Sequence, residues 1–161
     1  MKDKKVLFMV QAAAIAAIYV VLVFIFEPIS FGPIQFRIAE ALTILPFFTS
    51  AAIPGLFIGC FLGNFLGGAI IADVILGSIA TLIGAVGSYL LRKKPWLVPL
   101  PPILANTIIV PFVLKFGYGM EEAIPYMMLT VGASEVIICG IAGLALLFAL
   151  KPVFNKILTN N

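Results

Sequence analysis

The stretch PGLFIGCFLGNFLGGAIIADVILGSIATLIGAVGSYLL, residues 54–91, contains one charged side chain, Asp73. Two apolar runs, 54–71 and 74–91, meet there with only Ala72 and Asp73 between them. About 20 predominantly apolar residues make one helical membrane crossing. Neither run alternates as a strand would, so the stretch predicts two antiparallel spanning helices joined by a tight turn. The pattern continues outward on both sides, with apolar runs over 6–26 and 38–49 before it and 97–114 and 124–150 after it. That predicts six spans, the second short and the sixth long. Pro54 and Pro125 sit where a helix can begin, because the missing N–H is not needed in a first turn. Pro46, inside the second run, should kink or end it.

Composition agrees. Of 161 residues, 63% are hydrophobic and 11% charged, with a mean hydropathy of +1.21, whereas a soluble domain carries roughly 25% charged residues. No polar linker interrupts the chain, so residues 1–161 read as one unit: an all-α membrane protein, a compact bundle of six transmembrane helices. The first run is too long for a cleaved signal and lacks a cleavage site, so it reads as the first span. The net charge of +3 sits at segment ends and forms no nucleic-acid-binding patch. With the N-terminus inside, the cytoplasmic segments hold Lys2, Lys4, Lys5, Arg92, Lys93, Lys94, Lys151 and Lys156, and the outside holds Arg37 and Lys115. This bias places both termini in the cytoplasm. Trp96 fits an interfacial anchor on that face.

The exceptions to apolarity are Glu40, Asp73 and Glu135, with Arg37, Asn64 and Asn106. A charge in hydrocarbon costs on the order of 2.5–3.5 kcal/mol even on insertion scales, so such groups face a cavity or a partner. The topology puts Glu40 near the outer end of the second helix and Asp73 in the outer turn between the third and fourth. Asn64 falls roughly 10 Å below that turn, and Asn106 and Glu135 lie deeper. The set is one-sided and converges on the outer half. Arg37 and Glu40, three apart, are spaced to pair on one helix face. Asp73 has the position of an N-cap for the fourth helix. Tyr118, Tyr126 and the aromatic residues between 31 and 36 are available near the outer mouth.

Small residues mark packing faces. Gly55, Gly59, Gly63 and Gly67 recur every fourth residue, and Ala80, Gly84 and Ser88 do so on the next helix. Such rows let helices approach closely in lipid, and the simplest use is a hairpin of the third helix on the fourth. Ala12, Ala13, Ala16 and Ala17 give two Ala-x-x-x-Ala stripes near the cytoplasmic end of the first helix. They serve either internal packing or a flat surface for a second membrane protein. Histidine is absent, and Cys60 and Cys139 lie in apolar runs, so they are expected to pack as small apolar groups without disulfide or metal roles. There is no nucleophile–base pair, no metal-ligand cluster and no phosphate-binding loop, which argues against an enzyme and predicts no cofactor. Two recognisable inverted halves, usual in autonomous transporters, are missing too.

The segments FGPIQFRIAEALTILP (31–46), GNFLGGAIIADVILGSIATLIGA (63–85) and SEVIICG (134–140) resemble the QueT family over essentially the whole chain. Its members are substrate-binding S components of energy-coupling factor transporters, associated with queuosine precursors. The resemblance implies a module that joins a transmembrane coupling protein and two ATP-binding cassette ATPases. It also implies that the first helix meets the coupling protein through an Ala-x-x-x-Ala surface, Ala12/Ala16 or Ala13/Ala17 here. A 7-deazaguanine offers two adjacent N–H donors and a carbonyl, and its aminomethyl form adds an ammonium group. Gln35, Arg37, Glu40, Asn64, Asp73, Asn106 and Glu135 supply the matching acceptors and donors. An S component for another vitamin-like substrate, or a homo-oligomeric small channel, are the alternatives.

Overall fold

The structure, a computed structural model, describes residues 2–30 and 36–159. Among these the regular elements are all helices, with no strand. Helix 1 is Lys2–Ile25, helix 2 is Ile38–Phe47, helix 3 is Ala52–Leu66 and helix 4 is Ile71–Leu90. Helix 5 runs through Leu100–Phe112 and the π-helical segment Val113–Gly117. Helix 6 is continuous through Ile124–Glu135, the π-helical segment Val136–Ala142 and Gly143–Thr159.

Four stretches are long and apolar enough to cross a membrane: Asp3–Ile25, Ile71–Leu90, Pro95–Gly117 and Ile124–Phe154. Helices 2 and 3 are shorter. At about 2.0 Å per residue for a 3₁₀ helix and 1.5 Å for an α-helix, they reach only about 20 Å and 22 Å. A hydrocarbon core is about 30 Å thick.

Helix 2 is a 3₁₀ helix of 10 residues, six of them buried, and it closes one residue beyond Pro46. It lies inside the bundle, against helices 1, 3, 4 and 6, while helices 1, 3, 4, 5 and 6 pack in that order around it. Runs of 3₁₀ beyond three or four residues are uncommon, and Ala, Leu and Glu favour an α-helix, so surrounding packing overrides local propensity here. With three residues per turn, Glu40, Thr43 and Pro46 fall on one edge, and all three are buried.

The glycine row does not pack on helix 4. It packs on helix 1: a Cβ on Gly55 would stand 2.7 Å from the Ala12 carbonyl oxygen, and one on Gly63 would stand 3.0 Å from Val23. The small face of helix 4 in turn meets helix 5, where a Cβ on Gly84 would come within 2.7 Å of Pro102. Spacing identifies a close-packing face but not the helix that fills it. Helix 3 stops at Gly67, and Gly68 at φ +76° turns the chain, a conformation that suits glycine. Helix 4 can therefore begin directly at Ile71.

Candidate functional site

One part of the site is an ion pair. Arg37 precedes the first turn of helix 2 with a non-helical backbone, φ −81° and ψ 83°, which swings its side chain away from Glu40 and towards helix 4. Its Nη2 donates to both oxygens of Asp73 at 2.8 Å, with both residues buried. Two expectations are thereby corrected. Arg37 bonds Asp73 and not Glu40, and Asp73 is not the N-cap of helix 4: Ile70 holds that position without a side-chain bond. Asp73 instead sits in the first turn, where the helix dipole favours a carboxylate.

Three further groups hold the pair. Tyr118 donates to Asp73 Oδ2 at 3.0 Å, and Asn64 Nδ2 donates to the Asp73 carbonyl at 3.3 Å. Burial and the neighbouring Asp73 carboxylate push the Tyr118 phenol up to about 12, so it remains a donor. Gly77 leaves the room this arrangement needs, since a Cβ there would lie 2.8 Å from Asp73 Oδ1 and 3.2 Å from Arg37 Nη1. A cleft of about 440 Å³, lined by Glu27, Pro28, Gly67, Gly68, Ala69 and Tyr118, adjoins the pair through the Tyr118 ring.

Below it stands a second group. Glu40 is fully buried, and its Oε1 accepts from the hydroxyls of Tyr19 and Thr81, the latter at 2.9 Å. Its Oε2 has no partner. Thr43, one turn on along the same edge, donates to the Glu40 carbonyl at 2.6 Å. From helix 6, Glu135 Oε2 accepts from the Cys139 thiol at 3.0 Å. Ligating atoms of Glu40, Glu135 and Cys139 lie within 4.8 Å of one another. Asn106 lies against Glu135 and interacts with its carboxylate, but neither its Nδ2 nor its Oδ1 has full hydrogen-bond geometry to any partner among the described residues. The Thr107 hydroxyl and Arg37 Nε are also buried without a partner. Buried polar groups in folded proteins are almost always paired, so this cluster of unused acceptors and donors is the most unusual chemistry among the described residues.

Six of the seven proposed contact residues, Arg37, Glu40, Asn64, Asp73, Asn106 and Glu135, thus gather in one buried region. Gln35 lies outside the described residues, as does Phe31. Tyr126 is exposed. The cysteines are not simple apolar filler: both are free and buried, but Cys139 bonds Glu135, and Cys60 meets Thr81 and Asn64. Sequence reading missed Tyr19, Thr43, Gly77 and Thr81. Tyr19 had a signal, because it continues the buried stripe Ala12, Ala16, Tyr19, Val23 along helix 1.

The two alanine stripes separate. Ala12 and Ala16 are buried under Gly55 and Gly59. Ala13 and Ala17 are exposed and line an apolar groove of about 470 Å³ on the bundle surface, to which Ala16 also contributes beside Val20, Val21, Ile58 and Leu62.

Among the described residues a buried polar cluster thus stands inside an apolar helical bundle. Comparison with known proteins gives the class: the model of the QueT transporter family matches residues 9–152, and the chain belongs to that family. The family consists of transporters, not enzymes. The chain is also 41% identical over 85 residues to the queuosine precursor transporter QueT of Lactococcus lactis subsp. cremoris (strain MG1363). That match covers 52% of this chain and spans about half the length, 50%, of the relative. No solved structure matches the chain significantly.

Proposed function

We propose that this protein is the substrate-binding S component of an energy-coupling factor importer, taking a queuosine precursor of the 7-deazapurine class from the outside. In this reading residues 1–161 form one module that passes the membrane six times with both termini cytoplasmic. The module hands its substrate to a transmembrane coupling protein driven by two ATP-binding cassette ATPases. The observation that supports it most directly is the buried set of unused polar atoms on Glu40, Asn106 and Thr107. A deazapurine has the donors and acceptors to satisfy them. Arg37, Asp73, Asn64 and Tyr118 form the frame above, and Gln35 is a further contact residue in this proposal.

The coupling surface in this proposal is the Ala13/Ala17 stripe, because Ala12 and Ala16 are already covered by helix 3. Small side chains let a partner helix approach closely in lipid. Ala17→Trp should therefore leave deazapurine affinity of the purified chain unchanged while abolishing uptake in cells and co-purification with the coupling protein. Ala16→Trp should instead disturb the fold and lower binding. Normal uptake by Ala17→Trp would remove this surface from the mechanism, and a wild-type chain that binds no deazapurine would remove the substrate.

Orientation is checked separately. Single cysteines at Lys94 and at Glu121, in a background with Cys60 and Cys139 replaced, should label from opposite sides. Labelling of position 94 by an impermeant reagent added outside would invert the proposed topology.

A further inference from the structure

We infer that Cys139 is a positioning residue for the transported molecule: its thiol holds the Glu135 carboxylate in the orientation that meets the ligand. The inference rests on the proposed role of Glu135 as a deazapurine contact and adds the group that aims it.

The position of the sulfur comes first. Cys139 is fully buried, in the middle of the π-helical segment Val136–Ala142. Its Sγ lies 3.0 Å from Glu135 Oε2, 3.4 Å from the Glu40 carbonyl oxygen and 3.5 Å from Thr43 Oγ1. A thiol has one proton to donate. Of these three oxygens the carboxylate is the nearest and the only charged one, so it takes that proton. Thr43 gives its own proton to the Glu40 carbonyl at 2.6 Å. The sulfur thus links Glu135 on helix 6 to the stretch of helix 2 that carries Glu40.

The surroundings are tight. A Cβ on Gly143, four residues further on, would stand 3.0 Å from Ile44 Cγ2 and 3.6 Å from the Ala41 carbonyl oxygen. Helix 6 therefore meets helix 2 at close range beside the sulfur. Hydroxyls on helix 6 turn back to the main chain: Thr130 donates to the Met127 carbonyl and Ser134 to the Val131 carbonyl. That is the habit of Ser and Thr within helices. The Cys139 thiol, a weaker donor, bonds a side-chain charge instead. Asn106, the other neighbour of the Glu135 carboxylate, lacks full hydrogen-bond geometry. A glutamate side chain loses much rotamer freedom when it is ordered, and a carboxylate fixed beforehand does not lose it again on binding. Cys139 supplies the fixing bond.

The test reads the thiol directly. In infrared spectra of the purified full chain, the S–H stretching band that Cys139→Ala removes belongs to Cys139; Cys139→Ser gives the same assignment if the alanine variant folds poorly. Donation to a carboxylate lowers that frequency, so Glu135→Gln should raise it. Adding 7-aminomethyl-7-deazaguanine to the wild type should raise it as well, because the ligand's donors then share the carboxylate. By calorimetry, Cys139→Ala should weaken binding of this ligand about 3- to 10-fold, which corresponds to one hydrogen bond of ordinary strength. In a Glu135→Gln background the same replacement should weaken it no further. An equal loss in both backgrounds would reduce Cys139 to packing and overturn the inference. A band that responds neither to Glu135→Gln nor to the ligand would overturn it too. Wild-type affinity in Cys139→Ala would overturn the inference alone, whereas a wild type that binds no deazapurine would overturn the deazapurine reading with it.

Discussion

Asp73→Asn should destabilise the protein by about 3–5 kcal/mol, the cost of breaking a buried ion pair by removing one partner. The wild-type carboxylate takes two bonds from Arg37 Nη2 and one from Tyr118. An amide of the same shape cannot neutralise the guanidinium, and among the described residues no other acid bonds Arg37. The buried charge would then pull helix 2 towards the surface and take Glu40 with it, since Glu40 lies one 3₁₀ turn away. Thermal unfolding in detergent measures the loss. A double variant, Arg37→Met with Asp73→Leu, should recover much of it, because well-packed apolar replacements of buried pairs are often neutral. If Asp73→Asn unfolds at the wild-type temperature, the pair contributes nothing to holding helix 2 against helix 4.

Gly59→Ala should be nearly as damaging although it adds one methyl group. A Cβ there would stand 2.7 Å from Tyr19 Cβ and 3.1 Å from the Ala16 backbone. Backbone cannot yield as a flexible side chain would, so helix 1 must move outward, at about 1–3 kcal/mol for overpacking. The displacement carries the Tyr19 hydroxyl away from Glu40 Oε1, so ligand affinity should fall along with stability. Gly140→Ala is the control, because a Cβ there would meet nothing closer than 3.8 Å. A Gly59→Ala protein with unchanged stability and binding would show that helix 1 does not position Glu40.

The sequence made the apolar helical class readable from hydropathy, and it singled out the polar residues that gather in the interior because they are the exceptions to that apolarity. It did not disclose which partner each residue takes. Arg37 and Glu40 have the spacing of a pair, but Arg37 precedes the helix with a non-helical backbone and the two take different partners. Asp73 has the position of a cap, yet a buried guanidinium competes for it and wins. The glycine row announces a close approach, while its partner, helix 1, depends on bundle order and not on any local pattern. Cys139 looked apolar because thiols are found in apolar runs; its contact with Glu135, four residues earlier, sits where helix 6 enters its π-helical segment. Gly77 carried no signal, since its role is the absence of a side chain beside Asp73.

The 3₁₀ geometry of helix 2 has a consequence for how the gene can vary. Its buried edge repeats every three residues, through Glu40, Thr43 and Pro46. Removing one codon from this segment would rotate everything beyond the gap by about 120° and turn an apolar residue to the place of Thr43 or Glu40. Removing three would shorten the helix by about 6 Å but return each remaining side chain to its own edge. Length variation among descendants of this sequence should therefore enter this segment in steps of three residues, a rhythm that an α-helix would not impose.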